Sequence, residues 1–270
     1  MVSQSDLDRI KDFLLDSVGK HDVVIGISGG IDSAVVLGLC ASTFPASRIH
    51  AMFLPDSNTA SDSIYVNELS NVFHVDIKQI QLQGFVDPFV NTFGIKDLRL
   101  LGNIKSRLRM IILYYRANLF DGLVVGTTNR TEYLTGYFTK FGDGACDVEP
   151  ILHMYKHEVR EAARLLGVPA LIIERRPSAG LYPGQTDEDD LGFTYDFLDM
   201  SLSQIATGKY DSSDARIGRI LNLVKETAHK REMPKSLDEA DMVLASFELD
   251  LSLIERRYDP LFLLERIERH

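Results

Sequence analysis

The chain has 270 residues, 45% of them hydrophobic and 25% charged, enough apolar material for a packed core and too much for wholesale disorder. Its 29 Lys and Arg against 39 Asp and Glu leave a net charge of −10, a field that repels nucleic-acid phosphates and anionic membranes. Any polyanionic ligand must therefore be held by local positive charge. Cys40 and Cys146 lack metal-ligand spacing and fit a reducing cytoplasm rather than a disulfide framework or a zinc site. The first residues are acidic and amphipathic, and the longest apolar runs, near residues 34–41 and 110–115, fall short of the roughly 20 needed to span a bilayer. A soluble, cytoplasmic protein with neither nucleic-acid nor membrane partner is expected.

Taken in chain order, Leu7, Ile10, Phe13, Leu14 and Val18 recur at helical spacing and Gly19 supplies a stop. DVVIGIS, residues 22–28, is a short β-branched run of the kind found in buried parallel strands. A helix over residues 31–42, a strand over 48–54, a helix over 59–71 and a strand over 74–82 follow. Residues 96–120 carry Leu100, Ile104, Leu108, Ile111, Ile112 and Tyr115 at helical spacing, and LVVGTT, residues 123–128, closes the series as a fourth strand. This alternation predicts an α/β fold, a doubly wound parallel sheet flanked by helices. Beyond it come a Gly- and Thr-rich stretch, a helix near 157–166, an irregular segment over 177–190 and a charged, mostly helical C-terminal part. One domain over 1–270 with a helical tail at about 240–270 is the preferred division.

The strongest chemical signal is GISGGIDS, Gly26-Ile27-Ser28-Gly29-Gly30-Ile31-Asp32-Ser33, where the first strand gives way to a helix. Its glycines allow a tight turn and close approach of backbone to ligand. The amides opening the helix, its dipole and the hydroxyls of Ser28 and Ser33 make an anion site. Neither G-x-x-x-x-G-K-[ST] nor G-x-G-x-x-G is present. Asp32 beside phosphates would repel them unless a divalent cation lies between, which points to Mg²⁺. The plainer reading is a glycine turn with a capping serine.

At these residues the chain resembles the pyrophosphatase-loop ATP enzymes, which split ATP between its α and β phosphates. That group includes GMP synthetase, asparagine synthetase, tRNA-thiolating enzymes and NAD synthetase, so the loop leaves the acceptor open. Four further segments resemble the NAD synthetase family in order and spacing: GNIKSRLRM (102–110), GTTNRTEYLTGYFTKFGDGACDVEPI (126–151), YKHEV (155–159) and PSAGLYPGQTDEDDLG (177–192). The resemblance spans residues 6–235 or so.

It implies ATP-dependent amidation of deamido-NAD⁺ by ammonia, giving NAD⁺, AMP and pyrophosphate through an acyl-adenylate; the alternative is another adenylating amidotransferase or thiolase of the same loop group. It further implies that Thr127, Lys156 and Ser178 join the glycine loop on ATP, and that Asp32 and Glu132 share Mg²⁺. Arg107, Tyr137, Lys140, Asp147, His229 and Lys230 would contact the dinucleotide, while Asp143 and Lys156 would be catalytic. The residues lend independent support: Glu132 follows the fourth strand at the edge where open α/β sheets bind ligands. Asp143 lies in a Gly-rich turn and suits deprotonation of ammonium, and a guanidinium fork suits a phosphate or carboxylate. Each also has a bland reading: Glu132 as a solvated helix start, Asp143 as a turn residue, Tyr137 as core packing, Lys156 as a surface lysine. Arg109, two helical positions from Arg107, is expected to be structural.

The island His229-Lys230-Arg231 is implied to be a mobile loop closing over substrate, which would protect an acyl-adenylate from water. Phe53 departs from relatives that carry Arg near the nucleotide. Neither cysteine has an amidase setting, and the length leaves no expected room for a glutaminase, so free ammonia is the expected donor, a separate glutaminase partner remaining open. The resemblance implies a homodimer, with the helix at 96–120 as candidate interface; residues 242–270 carry no assignable motif.

Overall fold

The computed structural model describes residues 1–57, 59–180 and 184–233. The expected helical tail at 240–270 and Pro234 lie outside the described residues. In chain order the elements are α1 (Gln4–Val18), β1 (Asp22–Gly26), α2 (Ile31–Thr43), β2 (Ile49–Phe53), α3 (Ser63–Phe73), β3 (Ile77–Gln79), α4 (Gln83–Phe93), α5 (Leu98–Phe120) and β4 (Gly122–Val125), then the helices α6 (Arg130–Thr135), α7 (Lys156–Leu165), α8 (Ala170–Ile173), α9 (Asp187–Leu191), α10 (Tyr195–Ala206) and α11 (Ala215–Glu226).

The strands run parallel in the order β3-β2-β1-β4. Alternation along β1 sends side chains to opposite faces. Val23 and Ile25 join α1, α2, α3 and α7 in the main core, whereas Val24 meets Ala117 and Leu113 of α5 on the other face. Helices thus cover both faces, as a doubly wound sheet requires. From β1 the chain moves outward to β2 on one side and later returns to β4 on the other. The carboxyl ends of β1 and β4 therefore flank a topological switch point, where a crevice opens.

Local signals account for most boundaries. Ser3 and Asp6 form a reciprocal capping box at α1, and Gly19, at φ 57°, ends it. Leu7, Ile10, Leu14 and Val18 are buried, but Phe13 is 45% exposed and stands off the core stripe. The third strand shrinks to three residues because only β2 pairs with it. Residues 126–128, expected as strand, leave the sheet: Gly126 N–H bonds to Val148 O (2.8 Å) and Thr128 N–H to Glu149 Oε2 (3.2 Å). The helix expected over 59–71 divides into a 3₁₀ turn at Ala60–Asp62 and then α3.

Helix α4 has no counterpart in the predicted elements. Pro88 lies inside it, which removes a backbone hydrogen bond; packing of Leu82 and Val86 on Leu108 of α5 holds it instead. The segment expected to be irregular over 177–190 contains the start of α9. Helices α10 and α11 form a second small core, in which Leu198, Leu202 and Ile220 pack with Tyr155 and Leu191. No helix among the described residues is long and apolar enough to cross a membrane.

Candidate active site

A cleft of about 580 Å³ opens at the switch point. The loop after β1 forms one wall. Gly29 adopts φ +77°, where an added Cβ would also stand 3.2 Å from Tyr65 Cβ, so glycine is required there. Ser28 Oγ accepts from Gly30 N–H (3.2 Å), and Ser33 Oγ accepts from Ser28 N–H (3.2 Å) while donating to Gly30 O (3.0 Å). Gly30 caps α2 without a side chain, leaving the helix amides open to an anion. Arg175 braces the loop, donating to Gly29 O (3.2 Å) and Asp62 Oδ1 (2.7 Å), with its guanidinium 4.4 Å above the Tyr65 ring.

Opposite the loop, Lys156 opens α7 at 1% exposure. Its ammonium donates to Asp32 Oδ2 (2.6 Å) and Glu132 Oε1 (3.1 Å) and lies 4.7 Å from the Tyr195 ring centre. Each partner is separately placed. Asp32 is in the first turn of α2 and takes a bond from Asn129 Nδ2 (2.8 Å); Glu132 completes a capping box with Asn129 at the start of α6. Tyr195 OH donates to Asp187 Oδ2 (2.9 Å) and bonds Glu132 Oε1 (3.3 Å).

The electrostatics follow from crowding. Burial pushes Glu132 well above the usual carboxylate range, Lys156 pulls it back, and Asp32 and Asp187 push it up again. Burial lowers Lys156, but Asp32 and Glu132 together outweigh that and hold it protonated. Asp187 is likewise raised, first by burial. Asp32, Glu132 and Asp187 around one ammonium make a pocket short of positive charge. Among the described residues no group of three or more His, Cys, Asp or Glu is placed to hold a metal. Asp32 and Glu132 line the cleft together, and two carboxylates with phosphate oxygens and water are donors of the kind Mg²⁺ takes, although here Lys156 and Asn129 engage them.

The Gly-rich turn forms the far wall. Asp143 Oδ1 accepts from Ser106 Oγ (2.5 Å) and Thr139 N–H (3.0 Å), and Ser106 Oγ accepts in return from Asp143 N–H (2.8 Å). A Cβ at Gly142 would lie 2.3 Å from Ser106 Oγ, so this close lacing needs glycine. Tyr137 lines the cleft with its hydroxyl bonded to Asp190 Oδ2 (2.9 Å) and Asp187 Oδ1 (3.2 Å), while its body packs into the second core.

Of the residues singled out from sequence, Gly26, Ile27, Ser28, Gly30, Ile31, Asp32, Ser33, Thr127, Glu132, Tyr137, Asp143, Lys156, Ser178 and Lys230 line this cleft. Gly29, Arg107, Lys140, Asp147 and His229 are not among its lining. Positions 99, 103, 106, 110 and 113 form the inward stripe of α5, and Arg109 beside them lines the cleft, whereas Arg107 is exposed. Two helix positions set these arginines about 200° apart, so α5 turns Arg109 to the cleft and Arg107 to its exposed side. Arg107 instead donates to Lys140 O (3.2 Å), and Arg109 Nε to Leu54 O (3.0 Å). Asp147 staples the segment after the turn to β4, accepting from Val124 N–H (2.8 Å) and Tyr114 OH (3.2 Å).

The basic island is seated rather than extended. Lys230 donates to Gly136 O (2.7 Å) and Phe138 O (2.8 Å), Arg231 to Leu134 O (3.0 Å), and Lys140 to the carbonyls of His229 and Glu232. Phe53 is 2% exposed and contributes an apolar patch to the cleft. Burial pushes the Cys40 thiol up to about 12, and burial together with Glu149 raises Cys146. Neither thiol is poised as a nucleophile. Sequence reasoning missed Arg175, Arg109, Asn129, Asp187 and Tyr195. For Asn129 the capping-box spacing to Glu132 was a usable signal; the others reach the site only through tertiary packing.

Comparison with known proteins accords with this arrangement. The sequence model of NAD synthase matches residues 6–234. An NH(3)-dependent NAD(+) synthetase of Thermoplasma volcanium is 48% identical over 235 residues, covering 87% of this chain and 97% of that protein. The NMN synthetase from Francisella tularensis superposes with a TM-score of 0.80 at 35% identity, over 88% of this chain and 100% of the other. For the NH3-dependent NAD synthetase from Campylobacter jejuni the values are 0.75, 29%, 88% and 100%. The match runs from α1 through the glycine loop, the Lys156 cluster and the basic island, and the chain belongs to the NAD synthase family.

Proposed function

We infer that the chain is a ligase of NAD biosynthesis, an ammonia-dependent NAD⁺ synthetase acting as a single cytoplasmic synthetase domain. The observation that carries this reading is the Lys156 ammonium held between Asp32 of the glycine loop and Glu132 across the switch point. A carboxylate is a poor electrophile, so the nicotinate of deamido-NAD⁺ first attacks the α-phosphate of ATP, and the bond to pyrophosphate breaks. The amides at the start of α2, with Ser28 and Ser33, receive the departing pyrophosphate. Lys156 neutralises charge gathering on the α-phosphate of the transferring adenylyl group and on the departing pyrophosphate. Mg²⁺ held by Asp32 and Glu132 would add Lewis-acid polarisation of the phosphate oxygens.

Asp143, fixed through Oδ1 by Ser106 and Thr139, keeps Oδ2 for the proton of ammonium. The ammonia so formed attacks the acyl carbon, AMP leaves, and the nitrogen sheds a further proton to water, giving the amide of NAD⁺. Thr127 and Ser178 border the ATP end of the cleft and Tyr137 and Lys230 the acceptor end. Arg107, Lys140, Asp147 and His229 act on the dinucleotide from the rim or by shaping the turn. Seating of the island at 229–231 on α6 excludes water from the adenylate.

We further infer a homodimer through α4 and α5. Phe89, Phe93, Leu100, Ile111, Tyr115 and Leu119 are 40–70% exposed, an apolar surface of the kind a second copy covers.

The test combines protein, Mg²⁺, ATP, ammonium and deamido-NAD⁺ and follows NAD⁺ and AMP. Stoichiometric NAD⁺ and AMP are expected; ADP, or no NAD⁺, overturns the reading. The likeness to an NMN synthetase makes the deamidated mononucleotide the competing acceptor, so kcat/KM is measured for both. A higher value for the mononucleotide reassigns the substrate.

A further inference from the structure

Asp199 on α10 is 3% exposed and is not among the residues lining the cleft, yet both of its oxygens are engaged. Oδ1 accepts from Thr131 Oγ1 (2.5 Å), and Oδ2 accepts from His157 N–H (2.8 Å) and bonds His157 Nδ1 (2.9 Å). Thr131 Oγ1 in turn accepts from Lys156 N–H (3.2 Å). Thr131 immediately precedes Glu132 in α6, and Lys156 and His157 are the first two residues of α7. One carboxylate from a third helix therefore holds the neighbours of both members of the Lys156–Glu132 pair. The nearby main-chain tie is Arg130 N–H to Met154 O (2.8 Å), which fixes neither Glu132 nor Lys156 directly.

A buried carboxylate is costly to maintain unless its lone pairs are met. An apolar residue packed on the second core would serve α10 without that cost. Negative charge at the N-terminus of α7 recovers part of it.

We propose that Asp199 is a positioning residue: through Thr131 and the first turn of α7 it sets Glu132 and Lys156 at the separation the phosphate end of the cleft requires. The proposal rests on the functional reading above, because it takes Lys156 as the residue whose placement governs turnover. Misplacing a catalytic group by about 1 Å costs on the order of 10²-fold in rate, so the clamp acts on kcat. Acceptor binding lies outside its reach.

The experiment compares Thr131→Val, which removes the hydroxyl at nearly constant shape, with Thr131→Ser, which keeps it, alongside Asp199→Asn and the Thr131→Val/Asp199→Asn double variant. Thr131→Val and Asp199→Asn should each lower kcat roughly 10- to 100-fold, with KM for the acceptor changed less than about twofold. Thr131→Ser should restore most of kcat, and the double variant should be no slower than Asp199→Asn alone, since both changes break one chain.

A second readout needs no turnover. Lys156, buried in the native protein, should resist acetylation by an N-hydroxysuccinimide ester, read by peptide mass mapping, and should become at least about fivefold more reactive in Thr131→Val and Asp199→Asn. Equal kcat in the Val and Ser variants, additive losses in the double variant, or unchanged Lys156 reactivity would overturn the clamp. A native protein that makes no NAD⁺ would sink the functional reading instead, and the labelling arm would still decide the clamp.

Discussion

Replacing Lys156 by Met removes the charge and keeps much of the stem. Asp32 Oδ2 and Glu132 Oε1, which share the ammonium at 2.6 and 3.1 Å, are then left facing each other in a pocket that also holds Asp187. Breaking a buried ion pair by removing one partner costs about 3–5 kcal/mol. For a chain of this size that lowers Tm by about 6–20 °C at pH 8, taking about 2–4 °C per kcal/mol.

The loss should depend on pH. Glu132 already sits above its unfolded value, and without Lys156 it rises further. A carboxylate raised in the folded state stabilises fully below its unfolded pKa and loses that contribution as pH climbs through the folded value. The native value is about 8, so Glu132 of both folded proteins is protonated below it and the Tm deficit is flat there. The deficit should grow as pH climbs from 8 toward 10, where only the variant is still losing that contribution. Calorimetry of both proteins across that range, with kcat measured in parallel, checks this. Turnover should fall about 10²–10³-fold through loss of a preorganised charge. Equal deficits at pH 8 and pH 10, or native kcat, would refute the arrangement described.

Asp143→Asn retains the Ser106 and Thr139 contacts but cannot take a proton; kcat should drop about 10²–10⁴-fold, with Tm within a few degrees, and a native rate at limiting ammonium would remove the base. Arg109→Leu should raise KM for ATP or acceptor about tenfold or more, through loss of a charged group in the cleft, while Arg107→Leu leaves KM for ATP unchanged; the opposite ranking in steady-state kinetics would refute a cleft role for Arg109. Ile111→Glu on α5 should convert a dimer to monomer in sedimentation at micromolar concentration, and a native protein that sediments as a monomer would exclude the interface.

Much of this site was legible in the chain because its determinants are local. GISGGIDS sits at a strand-to-helix junction, and its hydrogen bonds run within residues 28–33. Glu132 and Asn129 are three residues apart in a capping box, and the Gly142–Asp143 turn folds on its own neighbours. Helix α4 was not legible because Pro88 obscures its period and its stability comes from Leu108 of another helix. Which of Arg107 and Arg109 lines the cleft was not legible, since spacing gives the angle between them but not which face α5 turns to the sheet.

By itself the sequence determined the class of fold, the phosphate loop and the identity of the groups available for chemistry, because apolar period, glycine placement and short-range capping are written residue by residue. Only the tertiary structure decided that Asp32, Glu132 and Lys156, from 24 to 124 positions apart, converge on one ammonium. It also decided that Arg175 and Tyr195 brace them and that Arg109 rather than Arg107 enters the cleft. Those outcomes depend on how the helices pack across the switch point, where burial changes what each charge does and chain distance carries no information.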